Sequence, residues 1–440
     1  REIFMRAIYK SLWILNTLVF ISSTVLYVVA IIGINVLFGI ADKYIVHYVF
    51  FYFASLLGVY AFQGNSFLKP FDVNRVFIST AAGVILAALV TIPFMLLLKP
   101  YPSKAVFSLL VMMTFGIAVL SSILGGFCFK KWVPSREIIV VGDVDKWGPT
   151  LDEVNKAMQG KMKIVSWLNP TAESLIAIAD NKYKTSVIVA NPGYYTDETI
   201  KNALDWLKDN GCPVEMLPRV VEETLGRIPI HVAQAFKNYY EMDFHMVSPD
   251  PRQRVADIIL SLIGIFIGLP IVVIIAIVIF IDSGFPILYK QERVGKDGEV
   301  FTIHKFRTMR ERKNDEIGFA DDHACYITRV GKVLRKTRLD EIPQLWDVLR
   351  GKMSLVGPRP EQPDFERQFA EEIPFYRYRR LVKPGITGWA QIRYPYAASV
   401  EETKKKLEYD LYYVKNRSLT LYLQIILWTV ETILTMRGAR

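Results

Sequence analysis

Cysteine is scarce in this sequence. The 440 residues include three, Cys128, Cys212 and Cys325, which stand far apart and form no CxxC spacing. The sequence therefore excludes a disulfide framework and a cysteine-based zinc site, and it fits a reducing compartment. The sequence also begins with Arg1 instead of methionine, so we expect the natural chain to start earlier. These residues therefore do not decide whether a signal peptide precedes them.

Charged residues are few and unequal in sign. They make up 22% of the chain, with 53 Lys and Arg against 43 Asp and Glu, a formal net charge of +10. This excess indicates anionic partners, such as a cytoplasmic lipid surface or nucleotide phosphates. No basic run interleaved with aromatic residues stands apart from the apolar segments, so we expect no nucleic-acid partner. A hydrophobic content of 52% indicates a membrane-embedded fraction.

Four apolar stretches predict transmembrane helices. They are residues 12–40, 44–62, 76–98 and 105–129. Each is long enough to cross about 30 Å of hydrocarbon at about 1.5 Å per residue. Basic residues concentrate before the first stretch, between the second and third, and after the fourth, which places both ends on the cytoplasmic side. The stretches contain no acidic residue and one histidine, His47, so transport is not indicated. We predict a four-helix transmembrane domain over residues 11–131.

Residues 132–247 alternate between short apolar runs and amphipathic segments. This alternation predicts strands and helices of a parallel α/β sheet. The turn after the first predicted strand reads VGDV at 141–144. It lacks the GxGxxG pattern that lets a backbone approach a pyrophosphate. We therefore favour a Rossmann-like domain without a cofactor, in a structural or regulatory role.

A further apolar stretch, residues 255–281, carries basic residues on both flanks. Arg252 precedes it and Lys290 follows it, so both flanks have the charge of a cytoplasmic side. Pro270 removes one helical hydrogen bond in the middle of the stretch. We predict a re-entrant membrane helix that turns at residues 269–270 and leaves on the side where it entered. The alternative is a fifth spanning helix, which would export everything after it.

The stretch 337–360 reads TRLDEIPQLWDVLRGKMSLVGPRP. Its apolar residues fall on one helical stripe: Ile342, Leu345, Trp346 and Leu349. Pro343 is tolerated only in a first turn, so the helix is predicted to begin near Asp340. This places Asp340 and Glu341 at the positive end of a helix, just after Arg335 and further basic residues. The alternative is that Asp340 is an ordinary N-cap with Glu341 solvated beside it.

Cations that could bind phosphate flank this acidic pair. Residues 289–310 predict a β-hairpin around a GKDG turn. Lys305 and Arg307 stand two positions apart on its second strand and would point the same way as an anion clamp. A solvated strand edge is the alternative. Arg359 stands between two prolines, which would hold its guanidinium for bidentate phosphate binding.

Ordered motifs resemble those of the bacterial sugar transferases, the monotopic phosphoglycosyl transferases. The motifs are KFRTM at 305–309, LDEIPQL at 339–345, GPRP at 357–360 and KPGITGWAQ at 383–391. The N-terminal half is similar to the long, undecaprenyl-phosphate-using branch, the glucose/galactose phosphotransferase type. The resemblance implies a mixed α/β monotopic catalytic domain over residues 248–440. Its re-entrant helix often breaks after a serine, where this chain has Leu269.

The resemblance implies transfer of a hexose 1-phosphate from a UDP-sugar to undecaprenyl phosphate, with release of UMP, as the first step of exopolysaccharide, O-antigen or capsule synthesis. Asp340 would be the nucleophile, Glu341 would assist it, and both would hold Mg²⁺. The implied substrate-binding residues are Lys305, Arg307, Arg335, Arg359, Gln391 and Asp410. The resemblance further implies a homodimer in the bacterial inner membrane, with the catalytic domain in the cytoplasm.

Two other functions stay open on the sequence. A membrane-tethered sensor or scaffold would have an inactive C-terminal domain, and the intact pair Asp340 and Glu341 speaks against it. A lipid-linked phosphatase or diesterase would form the same aspartyl phosphate but would need a positioned hydrolytic water. It would release free sugar phosphate without an acceptor lipid.

Overall fold

Helices predominate in the computed structural model, which describes residues 4–38, 44–61, 73–133, 135–169, 171, 175, 186–195, 197–210, 212–310, 327–394 and 399–434. The chain forms two compact units, Arg1–Leu225 and Gly226–Arg440. The division into domains at residues 11–131, 132–247 and 248–440 stays a prediction.

Long apolar helices open the first unit. They are α1 (Phe4–Phe38), α2 (Ile45–Ala61), α3 (Val73–Leu97) and α4 (Lys104–Trp132). They correspond to the four predicted stretches, of which residues 39, 40 and 62 lie outside the described residues. Phe51, Val84 and Leu110 are buried in a core shared by all four helices. A Cβ on Gly58 would lie 2.3 Å from the carbonyl oxygen of Gly83, so α2 and α3 touch where neither has a side chain.

Within the described residues, four helices have the length and apolarity to cross a membrane. They are Thr17–Leu37, Val76–Leu97, Lys104–Trp132 and Pro251–Ser283. The 17 residues of α2 are also apolar, but they extend only about 26 Å, less than the hydrocarbon thickness of about 30 Å. The second predicted span is thus a shorter helix, and the fourth candidate belongs to the second unit. These helices mark the chain as a membrane protein.

A parallel sheet follows α4. Its strands are β1 (Arg136–Val141), β2 (Met162–Leu168), β3 (Ser186–Val189) and β4 (Val214–Met216), with helices α5 (Val144–Ala157), α6 (Glu198–Asp209) and α7 (Leu217–Leu225). The described strands pair in the order β2-β1-β3-β4, all in parallel. Val141 and Val189 share a core with Leu204 and Leu207 of α6. The predicted parallel α/β sheet is confirmed, and its kinship to Rossmann domains stays a prediction.

Short elements surround one long helix in the second unit. The helices are α8 (Ile230–Ala235), α9 (Lys237–His245), α10 (Pro251–Ser283), α11 (Arg329–Thr337), α12 (Gln344–Leu349), α13 (Pro363–Glu372), α14 (Trp389–Arg393), α15 (Val400–Lys415) and α16 (Leu419–Leu434). The strands are β5 (Leu288–Val294), β6 (Val300–Phe306), β7 (Ser354–Val356) and β8 (Gly385–Thr387). β5 and β6 form the predicted antiparallel hairpin, and β7 pairs with β8 in parallel.

The long helix α10 continues through its proline. Asp250 caps its start by accepting a hydrogen bond from the Arg252 N–H, and the helix then runs for 33 residues with Pro270 inside it. Helical structure is continuous at residues 269–270, because a proline removes one hydrogen bond while the flanking turns keep theirs, and the re-entrant turn stays a prediction. Apolar side chains such as Phe266 (82% exposed) and Ile281 (78% exposed) face outward. This surface is the part of the second unit best suited to lipid.

Both ends of α10 contact the same compact unit. Near its start, the Arg254 guanidinium donates to the carbonyl oxygens of Val348 (2.6 Å) and Leu349 (2.7 Å). Near its end, Ile275 and Ile279 pack in one cluster with Phe306 of β6. Because one folded unit holds both ends, both are expected on the same side of a membrane.

We predict that cysteines replacing Arg252 and Lys290 behave alike toward an impermeant thiol reagent. Each cysteine is placed alone in a variant without Cys128, Cys212 and Cys325. In spheroplasts neither should react, since both ends of α10 are expected in the cytoplasm, and both should react after lysis.

Tyr101→Cys is the positive control for this labelling experiment. Tyr101 lies between α3 and α4, which the charge distribution places outside, so this cysteine should react in intact spheroplasts. Reaction at position 290 but not at position 252 would show that α10 spans the membrane.

Candidate active site

The acidic pair lies in a turn between two helices. α11 ends at Thr337 and is capped by Arg338, whose φ of +56° is left-handed, and the 3-10 turn Leu339–Glu341 follows. The Ile342 N–H bonds the Leu339 carbonyl at 3.3 Å, so short-range bonds carry the chain to Pro343, which has no N–H. The helix α12 begins only after that proline. The prediction that a helix begins at Asp340 is therefore wrong, and side chains supply the positive charge around the pair.

The apolar stripe predicted on this helix is not its buried face. Trp346 is 54% exposed, and Leu345 packs against α10, where a Cβ on Gly264 would lie 3.2 Å from it. Gln344, Asp347 and Val348 are buried instead. Two polar side chains and one apolar side chain of α12 thus face the interior of the unit.

Glu341 is held by cations from three segments. Its Oε1 accepts from Lys305 Nζ at 2.9 Å and from Arg359 Nη2 at 3.1 Å, and its Oε2 lies 3.8 Å from Arg338 Nη1. Burial alone would raise the pKa of Glu341, but Arg359, Lys305 and Arg338 outweigh it and hold the pKa well below its usual range. Glu341 is therefore ionised, and the neighbouring cations balance its negative charge. The carboxylate in turn holds Lys305 and Arg359 beside it.

Asp340 differs from its neighbour. The side chain is only 9% exposed, yet within the described residues no side chain donates a hydrogen bond to its carboxylate. Burial and the negative charge of Glu341 raise the pKa of Asp340, and Lys305, Arg359 and Arg335 offset only part of this increase. A partly desolvated carboxylate without a partner is a good nucleophile, because fewer hydrogen bonds must break before it reacts.

Arg335 stands near Asp340 without binding it directly. Its Nε donates to Thr308 Oγ1 at 3.0 Å, and its Nη2 donates to Met309 Sδ at 2.9 Å. Burial lowers the pKa of Arg335, and the nearby charge of Asp340 opposes this. The residue supplies positive potential from the last turn of α11, and its implied role in substrate binding stays a prediction.

Arg359 joins the acidic pair to the KPGITGWAQ segment. Its Nη2 binds Glu341, and its Nη1 donates to Gln391 Oε1 at 3.5 Å. Gln391 lies on α14 and is 6% exposed, and its Nε2 has no hydrogen-bond partner within the described residues. The predicted set Lys305, Glu341, Arg359 and Gln391 is thus brought together, with one amide donor unused.

Asp410 occupies a different place from the one predicted. It lies on α15 and is 2% exposed, so it cannot bind substrate directly. Arg379 Nη2 donates to Asp410 Oδ2 at 3.1 Å and also to the main-chain carbonyl of Arg359 at 2.8 Å. Arg379 Nη1 donates to the Tyr376 hydroxyl at 2.6 Å. Asp410 therefore positions Arg359 through Arg379, a buried arginine whose role no sequence pattern predicted.

Arg307 does not form the predicted clamp with Lys305. Its guanidinium donates to the carbonyl oxygens of Ser283 (2.5 Å), Gly284 (2.6 Å) and Phe285 (2.9 Å), at the C-terminal end of α10. The reason is that β6 ends at Phe306, so the alternation that would align Lys305 and Arg307 stops between them. Arg307 fastens the hairpin to the membrane helix instead.

A histidine–aspartate contact joins β6 to α12. Asp347 Oδ2 accepts from the His304 main-chain N–H at 2.9 Å, and Oδ1 lies 2.7 Å from His304 Nδ1. Asp347 is 2% exposed. The contact places Lys305, the next residue on β6, beside the turn that carries Glu341. No spacing in the sequence indicated this pair.

The acidic pair limits how a metal ion could bind. No group of three histidine, cysteine, aspartate or glutamate side chains gathers in the part of the chain that the structure describes. Mg²⁺ needs only one or two protein carboxylates when water and phosphate oxygens supply the other ligands. Asp340 offers free oxygens, whereas Glu341 shares its oxygens with Lys305 and Arg359. The pair fits an ion that arrives with phosphates better than a preformed metal site.

Comparisons with known proteins match this part of the chain. The family model for bacterial sugar transferases covers residues 250–436. The UDP-glucose:undecaprenyl-phosphate glucose-1-phosphate transferase of Caulobacter vibrioides is 34% identical over 249 residues, which are 55% of this chain and 86% of that relative. The chain belongs to the bacterial sugar transferase family.

Two longer relatives match over about half of their length. The UDP-N-acetylgalactosamine-undecaprenyl-phosphate N-acetylgalactosaminephosphotransferase of Aeromonas hydrophila is 42% identical over 233 residues, 52% of this chain and 54% of the relative. The UDP-glucose:undecaprenyl-phosphate glucose-1-phosphate transferase of Klebsiella pneumoniae is 36% identical over 243 residues, 52% of this chain and 50% of the relative. The chain thus spans about half the length of these two relatives.

We predict that Arg379→Met destabilises the protein by about 3–5 kcal/mol, because it leaves Asp410 buried without its cation. Thermal unfolding of the purified full chain measures the change. Asp410→Leu in the same chain should recover part of the loss, since the double variant contains no unpaired carboxylate at this position.

Arg377→Met is the matched control, because Arg377 is an exposed residue of the same 3-10 segment, Tyr376–Leu381. It should change stability little. Equal unfolding temperatures for the Arg377 and Arg379 variants would contradict the structural role given to Arg379.

Proposed function

We propose that this protein transfers a hexose 1-phosphate from a UDP-sugar to undecaprenyl phosphate and releases UMP. The observation that carries the proposal is the contrast between two adjacent carboxylates. Asp340 is free and has a raised pKa, whereas Glu341 is ionised and held by Lys305 and Arg359. The named activities of the Aeromonas, Klebsiella and Caulobacter relatives support the same reaction class. The reaction would initiate synthesis of an exopolysaccharide, O-antigen or capsule.

The chemistry divides into two displacements at one phosphorus. A carboxylate oxygen of Asp340 attacks the phosphorus next to the sugar, the bond from that phosphorus to the bridging oxygen breaks, and UMP leaves. The sugar phosphate is then carried on Asp340 as an acyl phosphate. A phosphate oxygen of the polyprenyl phosphate attacks the same phosphorus, and the Asp340 carboxylate leaves. Each step forms one P–O bond and breaks one, and the acyl phosphate stays reactive enough for the second.

Several cations of the site would bind the phosphates of the substrates together. Lys305 and Arg359 already face the acidic pair, so a diphosphate beside Asp340 would meet both of them. Arg335 adds positive potential from α11. Gln391 accepts a hydrogen bond from Arg359 Nη1 at 3.5 Å and so helps to position that guanidinium. Glu341 keeps Lys305 and Arg359 in place before the substrate arrives, so they need little reorganisation.

Mg²⁺ fits this proposal as a companion of the donor. Asp340 and Glu341 would hold the ion together with oxygens of the diphosphate and water. Bound there, Mg²⁺ would neutralise the diphosphate and the charge that develops on the leaving UMP.

The membrane helix fits a lipid acceptor. α10 presents apolar side chains outward, and its C-terminal end is fastened to the hairpin that carries Lys305. We propose that the acceptor approaches along this helix from the cytoplasmic face of the bacterial inner membrane, and that both ends of α10 lie on that face. The homodimer implied by the resemblance stays a prediction.

We predict that Asp340→Asn lowers the rate of UMP release at least about a thousandfold, because an amide cannot form the acyl phosphate. Purified full-length protein is incubated with UDP-sugars and polyprenyl phosphate, and UMP is measured together with the unfolding temperature.

Asp364→Asn, an exposed change on α13, is the matched control and should leave the rate unaltered. A folded Asp340→Asn protein with a near-normal rate would remove Asp340 as nucleophile. Release of UMP and free sugar phosphate by the unaltered protein without acceptor would support the phosphatase function instead.

We further predict that Arg335→Gln moves the acid limb of the kcat/KM profile to higher pH. Asp340 must be ionised to react, and its raised pKa already places that limb above the range of an ordinary aspartate. Removing a nearby cation disfavours the ionised form further, so the pKa rises and the ionised fraction at a given acidic pH falls.

Arg335→Lys retains the charge and should keep the limb near its original position. A limb that shifts equally in Arg335→Lys and Arg335→Gln, or in neither, would show that it does not report Asp340 ionisation under the influence of Arg335.

A further inference from the structure

Two cations converge on Gly351, just beyond the end of α12. An atom built at the Cβ position of Gly351 would lie 3.4 Å from Arg254 Nη2 and 3.5 Å from Lys383 Nζ. Gly351 has a φ of +80°, a conformation that favours glycine, and its lack of a side chain lets both cations approach the backbone here. An anionic oxygen lying against these two cations would accept hydrogen bonds from both.

Hydrogen bonds hold the side chain of one cation and the main chain next to the other. Arg254 is held by the Val348 and Leu349 carbonyl oxygens. Lys383 directly precedes Pro384, whose carbonyl accepts from the Ser354 N–H at 2.9 Å. Within the described ranges, Lys383 Nζ has no hydrogen-bond or ion-pair partner, although the residue is half-buried. A preorganised cation pair with one member unpaired is suited to binding an anion.

The surroundings of Lys383 are mostly positive. Burial lowers its pKa most, and Arg254, Lys296 and Lys352 lower it further, against the opposing effect of Asp257. Asp257 is itself occupied, because its Oδ1 accepts from Ser354 Oγ at 2.9 Å, from the Leu355 N–H at 2.8 Å and from the Tyr422 hydroxyl at 2.7 Å. Asp257 therefore does not pair directly with the Lys383 amine.

We propose that the Gly351 cradle, formed by Arg254, Gly351 and Lys383, binds the phosphate of an anionic membrane phospholipid. The polar residue Arg254 is followed at once by the exposed apolar side chains Val255 (55% exposed) and Ile259 (52% exposed). The cradle therefore lies where the polar start of α10 meets its apolar surface. An occupant with a phosphate and acyl chains would satisfy the cations and the apolar helix together.

The cradle is separate from the acidic pair. Arg254 binds the C-terminal carbonyls of α12, whereas Asp340 and Glu341 precede its first residue. The six residues of α12 extend about 9 Å, so a phosphate at Gly351 cannot reach the Asp340 carboxylate. The occupant is thus a resident phosphodiester lipid rather than the acceptor, and the inference does not depend on the proposed reaction.

Native mass spectrometry of the full chain in detergent tests the proposal. Phosphatidylglycerol is titrated into the natural protein and into Lys383→Gln, Lys383→Arg and Arg367→Gln. Arg367 is an exposed cation of α13 with the same charge. We expect Lys383→Gln to bind phosphatidylglycerol about tenfold more weakly, Lys383→Arg to restore most of the affinity, and Arg367→Gln to match the natural protein.

Parallel titrations with phosphatidylcholine, polyprenyl phosphate and inorganic phosphate identify the source of the phosphate. Preference for phosphatidylglycerol over phosphatidylcholine that depends on Lys383 supports the proposal. Equal affinity of the natural protein and Lys383→Gln for phosphatidylglycerol overturns it. A Lys383 effect confined to polyprenyl phosphate, or to inorganic phosphate, also overturns it, because the cradle would then serve the acceptor or a free ion.

Discussion

The ion pairs of Glu341 hold together the centre of the second unit. One carboxylate receives Lys305 from the hairpin and Arg359 from the loop after β7, two segments that are also joined by a hydrogen bond from Arg293 Nη1 to the Pro360 carbonyl. Buried ion pairs contribute little net stability, since desolvation offsets most of their attraction. The ion pairs instead determine how the site is arranged, because they bring Lys305 and Arg359 beside Asp340. They also occupy the Glu341 carboxylate, which would otherwise compete with Asp340 as a nucleophile.

Buried contacts behind Lys305 and Arg359 hold that arrangement in place. Arg379 ties the Arg359 carbonyl to Asp410, and Asp347 ties the His304 main chain to α12. The Arg379, Asp410 and Asp347 side chains are buried, so their hydrogen bonds are costly to break. Lys305 and Arg359 are therefore supported by a framework of buried charged groups.

The sequence predicted elements and motifs more reliably than contacts. Apolar periodicity placed the parallel sheet and the hairpin correctly, because alternation and turn residues are local properties. The motifs correctly brought Lys305, Arg359 and Gln391 to the acidic pair. The error at Arg307 arose from a local rule applied one residue past the end of β6. Arg379 was missed because its partners lie far away in the sequence and follow no period.

The apolar stripe of α12 shows a further limit of sequence reasoning. A stripe is normally assigned to the protein interior, yet Trp346 is exposed while Gln344 and Asp347 are buried. In a membrane protein, lipid can cover an apolar face, so periodicity identifies that face without saying whether protein or lipid lies against it.

The hydrogen bonds from Arg307 to the carbonyl oxygens at the end of α10 affect how the unit sits in a membrane. Lys305 is only two residues away, so the end of the apolar helix sets the height of the acidic pair above the acyl chains. Arg254 fixes the other end of the helix to α12 in the same way. In a thicker or thinner bilayer, hydrophobic mismatch would tilt or shift α10. The whole unit would move with this helix as one body, because it is attached to both of its ends. The site would change its depth in the membrane without changing its shape.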